Sequence, residues 1–414
     1  MQHADVAILG AGMVGVSAAL HLQTRGRDVV LIDRHGAAGL ETSFGNAGLI
    51  ERASISPYLF PRDPWKLLRY AFNLLPEAHY HLSALPHIAP WLWRYHQESA
   101  PERAAKHEAA LRPLIERCLD EHEALIELAG AGELLRKTGW IKLYRSEKTL
   151  KAGLAEAERL RAFGLRVDAL DARALAEREP ELSNVLGAAH YLDTASVADP
   201  SRLAQAFADL FVARGGRFLI GDARGFEAAQ DGRWSIPTQD GPLLARDLVV
   251  ALGPWSDAIF RPLGYDMPLA VKRGYHMHYA AMGGARLAHP VLDADHGYVL
   301  APMTQGIRLT TGAEFARPDA PPTPVQLDQT EPIARALFPL GERLDARPWL
   351  GRRPCLPDML PVIGKAPRHA GLWFDFGHQH HGFTLGPVTG RLLAELMTGE
   401  EPFTDPAPYR PDRF

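Results

Sequence analysis

The sequence predicts a mixed α/β protein of two domains, one built on a parallel sheet and the other on an antiparallel sheet, with the chain crossing between them more than once. A strand, a glycine-rich turn, a helix and a second strand fill the first 33 residues. Alternating polar and apolar runs, typical of antiparallel strands, lie between residues 268 and 350. The segment 371–397 then returns to a strand, a loop and a helix. With 414 residues, the chain is long enough for two domains of ordinary size.

The first unit has the spacing of a dinucleotide-binding fingerprint. The apolar run 6–9 ends at GAGMVG (10–15), a helix is expected from Met13 to about residue 26, and VVLID (29–33) follows as a buried strand. Asp33 lies 18 positions after the last glycine of the motif, close to the ~20 positions typical of the fingerprint. The sequence therefore predicts a Rossmann-like domain that holds a dinucleotide.

Each residue type in this unit has a physical reason. Gly10 permits the tight turn, Gly12 lets backbone N–H groups approach a pyrophosphate, and Gly15 lets the helix pack closely on the strand. The positive end of the helix dipole, at Met13, favours the negative charge. Asp33 is expected to accept hydrogen bonds from ribose hydroxyls.

The middle of the chain does not continue a repeated strand and helix pattern. An aromatic and proline-rich stretch from about residue 50 leads to predicted helices over 101–128 and 147–163. A further helix is marked by Asp199 and Pro200 at its start, and the strands RFLI and DLVVALG then return the chain to the first domain. We expect the dinucleotide-binding domain to comprise 1–50, 195–260 and 350–414, and the cap domain to comprise 51–194 and 261–349.

Composition excludes several classes of protein. A net charge of −4 leaves no excess of basic residues for nucleic acid. Two distant cysteines, Cys118 and Cys355, form neither a disulfide framework nor a cysteine zinc site, and we expect no metal. The chain reaches its first strand within five residues and contains no apolar run of ~18 residues. We therefore expect a cytoplasmic protein, with peripheral association at the inner face of the membrane left open.

The sequence after Asp33 favours FAD over a nicotinamide dinucleotide. The segment 39–50, GLETSFGNAGLI, and a second glycine-rich loop near the end are features of flavoproteins whose distant segments close around one extended FAD. The chain resembles the FAD-dependent D-amino-acid oxidase superfamily, most closely its branch of glycine oxidases and D-amino-acid dehydrogenases of the small-subunit type. The motifs that carry the resemblance span nearly the whole chain: GAGMVG, LIDR, ETSFGNAGLI, DPSRL, VVALGPWSD, GRRPCLPDMLPVIG and GHQHHGFTLGPVTGRLLAEL.

This resemblance implies a set of cofactor-binding residues. Thr42 and Ser43 are expected at the pyrophosphate, and small residues that follow them are expected beside the flavin ring. The full set is Gly10, Gly12, Met13, Val14, Gly15, Asp33, Arg34, Thr42, Ser43, Asn46, Ala47, Gly48, Leu252, Gly253, Trp255, Gly382, Phe383 and Thr384. The branch that links flavin covalently uses a cysteine that would fall near Gly351, whereas Cys355 is only three residues before Asp358. We therefore expect FAD to bind noncovalently.

The resemblance also implies the residues of the substrate site. Arg353 occupies the position of the arginine that pairs with the substrate carboxylate, although Arg352 replaces the leucine usual before it. A guanidinium offers a bidentate fork to a carboxylate. His380 and His381 are expected to edge the site as hydrogen-bonding groups rather than as metal ligands. The remaining candidates, on strands expected to roof the flavin, are Tyr275 and Tyr298, with Arg273 weaker.

The implied reaction is FAD-dependent oxidative deamination of a D-amino acid. A hydride passes from Cα to flavin N5, and the imino acid hydrolyses to a 2-oxo acid and ammonia. Two alternatives stay open: oxidation of a cyclic or secondary amine or of glycine (D-hydroxyproline, D-proline, sarcosine), and a flavoprotein subunit active only in a hetero-oligomer that docks through residues 58–72. The downstream electron acceptor, a quinone or another carrier, and the choice between oxidase and dehydrogenase are not set by the motifs.

Overall fold

The structure is a computed structural model that describes residues 2–229 and 231–414. Its strands are β1 (Gln2–Leu9), β2 (Val29–Asp33), β3 (Leu49–Ile50), β4 (Ala78–Tyr80), β5 (Leu135–Arg136), β6 (Trp140–Tyr144), β7 (Val167–Asp171), β8 (Gly187–Tyr191), β9 (Ala195–Val197), β10 (Arg217–Ile220), β11 (Glu227–Ala228), β12 (Trp234–Ile236), β13 (Leu243–Val250), β14 (Ala270–Ala281), β15 (Val291–Asp293), β16 (Tyr298–Met303), β17 (Gly306–Thr310), β18 (Ala313–Phe315), β19 (Leu340–Arg343), β20 (Trp349–Cys355), β21 (Val362–Lys365) and β22 (Leu372–Phe376). Its α-helices are α1 (Met13–Thr24), α2 (Pro64–Ala71), α3 (Leu85–Glu98), α4 (Pro101–Leu128), α5 (Glu147–Ala162), α6 (Ala172–Arg178), α7 (Pro200–Ala213), α8 (Asp257–Phe260), α9 (Val325–Arg335) and α10 (Gly382–Thr398).

The first sheet has a parallel centre. Strands β10, β2, β1 and β13 lie side by side, and β22 continues the parallel set beyond β13, while β12 and β21 pair antiparallel at the margins. The central strands are apolar on both faces because both are covered. Val6 and Ile8 face the core shared with α1 and α10, and Ala7 and Leu9 face the core that contains Phe260.

Helices α1 and α10 pack directly on each other. A Cβ at Gly390 would lie 2.7 Å from the backbone nitrogen of Ala18, and one at Gly386 would lie 2.8 Å from Cγ of Met13. These glycines, four positions apart on one helix face, therefore permit a close approach that a side chain would prevent. The contact brings the first turn of α10 to the start of α1, where both helix N-termini meet one cleft.

The second sheet is mainly antiparallel and is organised around the long strand β14. Among the described residues it has eleven strands, ordered β4, β18, β14, β17, β16, β15, β6, β8 and β7, with β19 and β20 also pairing with β14. In the β14–β20 pair, Lys272 lies opposite Arg353 and Tyr275 lies opposite Leu350. A small third sheet, β3–β9–β5, lies apart from both.

The predicted fold class, a mixed α/β protein with a parallel and an antiparallel sheet, is confirmed. The domain ranges stay a prediction, and one of them differs from the sheet pairing: all of β20 except Trp349 lies in the range 350–414, but β20 belongs to the second sheet. The sequence did not reveal this because β20 pairs with β14, about 80 residues earlier in the chain, and the motif around β20 does not indicate its partner strand. None of the helices in residues 2–229 and 231–414 combines the length and the apolar character that a membrane span requires.

Candidate active site

One large cavity of about 1300 Å³ runs from the carboxyl ends of the parallel strands to the inner face of the second sheet. Its walls include the predicted residues Gly10, Gly12, Met13, Val14, Asp33, Arg34, Thr42, Ser43, Asn46, Ala47, Leu252, Gly253, Trp255, Tyr275, Arg353, His380, Gly382 and Phe383. The cavity thus has a nucleotide end, at the first sheet, and a closed end, between β14, β18 and α3. Ligands of open α/β sheets bind at this edge of the sheet.

The glycines of the first turn have distinct roles. Gly10 has φ +104°, and a Cβ there would lie 2.6 Å from the carbonyl oxygen of Ala251. A Cβ at Gly15 would lie 1.8 Å from the carbonyl oxygen of Gly10, so Gly15 supports the turn from behind and is not part of the cavity wall. A Cβ at Gly12 would meet nothing closer than Ser43 Oγ at 3.4 Å. The space beside Gly12, at the start of α1, is therefore open.

Two charged side chains at the nucleotide end have defined contacts, Asp33 with backbone N–H groups and Arg34 with an aromatic ring. Asp33 accepts hydrogen bonds from the N–H of Ala11, at 2.8 Å, and of His35, at 2.9 Å. These bonds fix the carboxylate at the carboxyl end of β2 and leave acceptor capacity on both oxygens. The Arg34 guanidinium lies 4.4 Å from the centre of the Trp255 ring. Arg34 and Trp255, two predicted cofactor-binding residues that are far apart in sequence, thus lie side by side.

The loop 42–48 is tied to the second sheet. Thr42 Oγ1 donates to the carbonyl of Arg352 at 2.9 Å, and Arg308 donates to the carbonyl of Asn46 at 2.5 Å. Gly48 departs from its predicted position beside the flavin, because a Cβ there would lie 2.1 Å from the carbonyl oxygen of Val197 in β9. Its lack of a side chain serves strand pairing rather than a cofactor face.

The first turn of α10 contains one further difference from the prediction. Gly382 and Phe383 line the cavity, but Thr384 does not. The Thr384 hydroxyl instead donates to the carbonyl of Leu49 at 3.0 Å and accepts from the N–H of Glu51 at 3.3 Å. Its position is therefore explained by anchoring α10 to β3.

Sequence reasoning missed Asp375, the fourth residue of β22. Its side chain is fully buried, faces the cavity, and has neither oxygen in a hydrogen bond of normal geometry, although His378 Nε2 lies 3.3 Å away. Burial raises the pKa of this carboxyl above its ordinary value. A buried carboxyl that lacks a well-aligned hydrogen bond is expected where a hydroxyl or an N–H group of a bound ligand completes its hydrogen bonds. Together with the open helix N-terminus at Gly12 and the fixed Asp33, this donor and acceptor set fits FAD.

Arg353 lies at the closed end of the cavity. It is half-buried, and it donates to the backbone carbonyls of Gly312 at 2.9 Å and Thr311 at 3.2 Å. A Cβ at Gly274 would lie 2.6 Å from the guanidinium, so the group rests on bare backbone. Arg353 forms no ion pair with a carboxylate of the described residues, and three of its five N–H groups remain for a ligand.

His380 lies in the wall near Arg353. Burial, reinforced by the Arg353 and Lys272 cations, holds the pKa of His380 well below its ordinary value, so the ring is neutral at pH 7. Its ring centre lies 5.0 Å from that of Tyr58, an aromatic wall residue that the motifs did not reveal. A neutral imidazole can accept a hydrogen bond from an amine N–H.

Three predicted catalytic residues do not present free groups to the cavity. The Tyr275 hydroxyl accepts from the N–H of Thr323 at 2.7 Å and donates to Glu314 at 3.0 Å. The Tyr298 hydroxyl accepts from Arg145 at 3.0 Å, and its ring lies in a different core. His381 is buried outside the cavity wall, immediately before α10. Tyr298 and His381 therefore lie outside the cavity wall, and Tyr275 contributes only to that wall, so the catalytic roles of these three residues stay predictions.

The part of the chain that the structure describes contains one group of three side chains with metal-ligand spacing, namely His276, His278 and Asp345. The guanidinium of Arg308 donates to His278 Nε2 at 2.9 Å, and Asp345 lies 2.8 Å from His278 Nδ1. Both ring nitrogens of His278 are therefore engaged, and a cation already occupies the cluster. Since Arg308 also bonds to the 44–46 loop, the cluster is explained by loop support, and the expected absence of a metal stays a prediction.

Comparisons with known proteins identify the family. A family model described as FAD dependent oxidoreductase matches residues 5–396. The chain belongs to this DAO family. A D-amino acid dehydrogenase of Cereibacter sphaeroides is 32% identical over 422 residues, which cover 99% of this chain and 95% of the relative. A D-amino-acid oxidase of Bradyrhizobium diazoefficiens is 30% identical, with 99% and 98% covered. The predicted family, the enzyme class and FAD as cofactor are thereby confirmed.

Solved structures share the fold of this chain. A glycine oxidase from Geobacillus kaustophilus has a TM-score of 0.75 at 23% identity and is covered completely, as is this chain. An iminodiacetate oxidase from Chelativorans sp. BNC1 has a TM-score of 0.72 at 23% identity, with 98% of each chain covered. Noncovalent attachment of FAD stays a prediction: Cys355, one of two cysteines, is fully buried in β20, and burial raises the pKa of its thiol.

Proposed function

We propose that this FAD-dependent oxidoreductase oxidises a D-amino acid at Cα. The observation that carries the proposal is Arg353, a half-buried guanidinium that forms no ion pair with a carboxylate of residues 2–229 and 231–414 and that faces the closed end of the cavity. Its free N–H groups match the two oxygens of a substrate carboxylate. The names of relatives at 30–32% identity, D-amino acid dehydrogenase and D-amino-acid oxidase, support the D configuration.

In this proposal the protein binds and orients the substrate, and bound FAD would be the two-electron oxidant that accepts a hydride from Cα. Arg353 holds the carboxylate, so that Cα stays within reach of the cofactor. His380, neutral because of its surroundings, accepts a hydrogen bond from the amine and favours its uncharged form. Loss of the hydride and one amine proton gives an imino acid, and water converts it to a 2-oxo acid and ammonia.

The test is anaerobic reduction of the flavin absorbance by single amines. We expect bleaching by at least one D-amino acid and none by its L-enantiomer. Glycine, sarcosine, D-proline and D-hydroxyproline belong in the panel, because a carboxylate beside a secondary amine fits the same arginine, and the structural neighbours include a glycine oxidase and an iminodiacetate oxidase. Admitting air afterwards separates an oxidase from a dehydrogenase. Bleaching by none of these amines, with FAD bound, would contradict the proposal.

We propose further that reducing equivalents leave toward a lipid surface. Helix α2 has no buried residue, and Trp65, Leu68 and Phe72, at i, i+3 and i+7, are 77%, 49% and 67% exposed on one face. Arg62 and Arg69 beside them are exposed and positively charged. Aromatic and aliphatic side chains flanked by arginines suit the interface of an anionic membrane. Because Lys66 and Tyr70 of the same helix line the cavity, a lipid-soluble quinone would have a short way to the flavin.

Sedimentation with vesicles that contain phosphatidylglycerol tests this surface. We expect the holoenzyme to bind, and Trp65→Ser with Phe72→Ser to lower the bound fraction about 10-fold or more, since each aromatic side chain contributes roughly 1.5–3 kcal/mol on burial. Leu186→Ser, at a residue that is 47% exposed away from α2, is the matched control and should bind normally. Failure of the unmodified enzyme to bind vesicles would leave a protein partner as the explanation of the exposed face.

A further inference from the structure

The closed end of the cavity contains a second cation that the proposed reaction does not use. Lys272, on β14, lies opposite Arg353 of β20 in the register of the two strands. Residues directly opposite in an antiparallel pair have side chains on the same face, with Cβ atoms about 5 Å apart. Both line the cavity. Two positive side chains therefore stand together where a single carboxylate would need only one.

The surroundings of Lys272 are aromatic rather than acidic. Lys272 is 4% exposed. Its ammonium lies 4.3 Å from the ring centre of Tyr95, 5.0 Å from that of Trp91 and 6.0 Å from that of Phe315. No carboxylate of the described residues forms an ion pair with it. Attraction to the rings offsets part of the cost of removing the ammonium from water, but rings leave its three N–H groups without acceptors.

Other lysines in the cavity wall are neutralised. Lys66 lies 3.4 Å from Glu77, and Lys142 lies 2.9 Å from Glu156. Glu51, an acid of the same wall, acts on the pKa values of Tyr58 and His381. Burial lowers the pKa of Lys272, and the Arg353 guanidinium lowers it further. An anion at this position would raise the pKa of Lys272 and so oppose both effects, because it supplies the missing acceptor and the missing negative charge.

We propose that Lys272 binds a second carboxylate of the substrate, so that the favoured substrates are amino or imino dicarboxylates. Arg353 holds the carboxylate next to the reacting Cα, and Lys272 holds the other, carried by the side chain or by the substituent on nitrogen. The proposal rests on the proposed function for the role of Arg353. It goes beyond that function because it names the substrate class and the residue that selects it.

Pairs of ligands that differ only in the second charge test the proposal. The holoenzyme and its Lys272→Met variant would be titrated anaerobically with D-glutamate against D-glutamine and with D-aspartate against D-asparagine, with flavin absorbance as the readout. We expect the unmodified enzyme to favour the acids. In Lys272→Met, the Kd of each acid should rise about 30-fold or more, as for loss of one partner of a buried charge pair, while the Kd of each amide changes less than about 3-fold. Lys142→Met, which removes a lysine that already has a carboxylate partner, should leave the preference unchanged.

A second readout does not depend on turnover. Glutarate and butyrate have no amine, and their binding can be followed as a shift of the flavin spectrum. We expect glutarate, which has two carboxylates, to bind more tightly than butyrate, which has one. This preference should be lost in Lys272→Met and retained in Lys272→Arg. It can be measured even if no amine reduces the flavin. If no amine reduces the flavin, the proposed function fails, whereas the glutarate preference still decides the role of Lys272.

Two outcomes would overturn the proposal. Equal weakening of acids and amides in Lys272→Met would mean that the lysine and Arg353 share a single carboxylate. No change for either would mean that the lysine only fills its aromatic surroundings, and the melting temperature would then fall. We expect the melting temperature of ligand-free Lys272→Met to rise, because the variant removes a buried charge without a counterion.

Discussion

Replacing Arg353 with methionine is expected to raise the Kd of the amino acid about 100-fold or more, consistent with the 2–5 kcal/mol typical of a buried charged hydrogen-bonding pair. The limiting rate of flavin reduction should also fall, because the carboxylate would no longer hold Cα in one position. Arg353→Lys should recover only part of the affinity, since an ammonium keeps the charge but lacks the planar fork. Anaerobic stopped-flow measurement gives the Kd and the limiting rate separately.

The neighbouring Arg352 is the matched control. Arg352 also lines the cavity, but its guanidinium lies toward the carbonyl of Pro318, at 3.3 Å from Nε, and toward Trp255 at the nucleotide end. With FAD added in excess, Arg352→Met should change the Kd of the amino acid less than about 3-fold. If the two variants were equally impaired, the effect would come from the strand as a whole, and the assignment of the carboxylate to Arg353 would be wrong.

The nucleotide end could be predicted because its determinants are local. Gly10, Gly12 and Gly15 act within one turn, and Asp33 follows at the end of the next strand, so a window of 24 residues contains the whole geometry. Arg353 could be predicted because the motif GRRPCLPD aligns it with the carboxylate-binding arginine of the family that the chain resembles. Its orientation could not, since the resting place of the guanidinium on Gly274 depends on strand pairing between segments about 80 residues apart.

The closed end shows what sequence could not give. Tyr298 and Val299 are adjacent, yet only Val299 lines the cavity, because side chains alternate across a strand and a shift of one residue reverses the face. His380 and His381 also differ, since only His380 lines the cavity, but these two residues lie in the turn before α10 rather than in a strand. Lys272 stands within KRGY, where of the two cations only Arg273 was named from the sequence, as a weaker candidate, but Arg273 turns to the other face and pairs with Glu314 at 2.7 Å. If the register of β14 had been known, it would have shown that Lys272 faces the cavity and that Arg273 does not.

The glycine turn gives a prediction in which two similar substitutions should have different effects. In Gly12→Ala the backbone, at φ −73° and ψ 175°, suits alanine, and the new methyl group would lie 3.4 Å from Ser43 Oγ. The protein should fold, with a melting temperature of the FAD-free form close to that of the unmodified chain. The methyl group would, however, stand where backbone N–H groups approach a pyrophosphate, so we expect FAD affinity to fall about 100-fold.

Gly15→Ala should instead prevent folding. Its methyl group would lie 1.8 Å from the carbonyl oxygen of Gly10, which is backbone and cannot move without opening the contact between α1 and β1. Gly132→Ala, where a Cβ would meet no atom within 4 Å, is the neutral control. The flavin-to-protein absorbance ratio and thermal unfolding followed by circular dichroism separate the two losses. Full FAD content in Gly12→Ala would contradict the placement of the pyrophosphate at the start of α1. A normally folded Gly15→Ala would contradict the close packing of Gly15 against Gly10. Because Gly12 borders open space and Gly15 borders backbone, the two outcomes distinguish a glycine kept for the ligand from one kept for the fold.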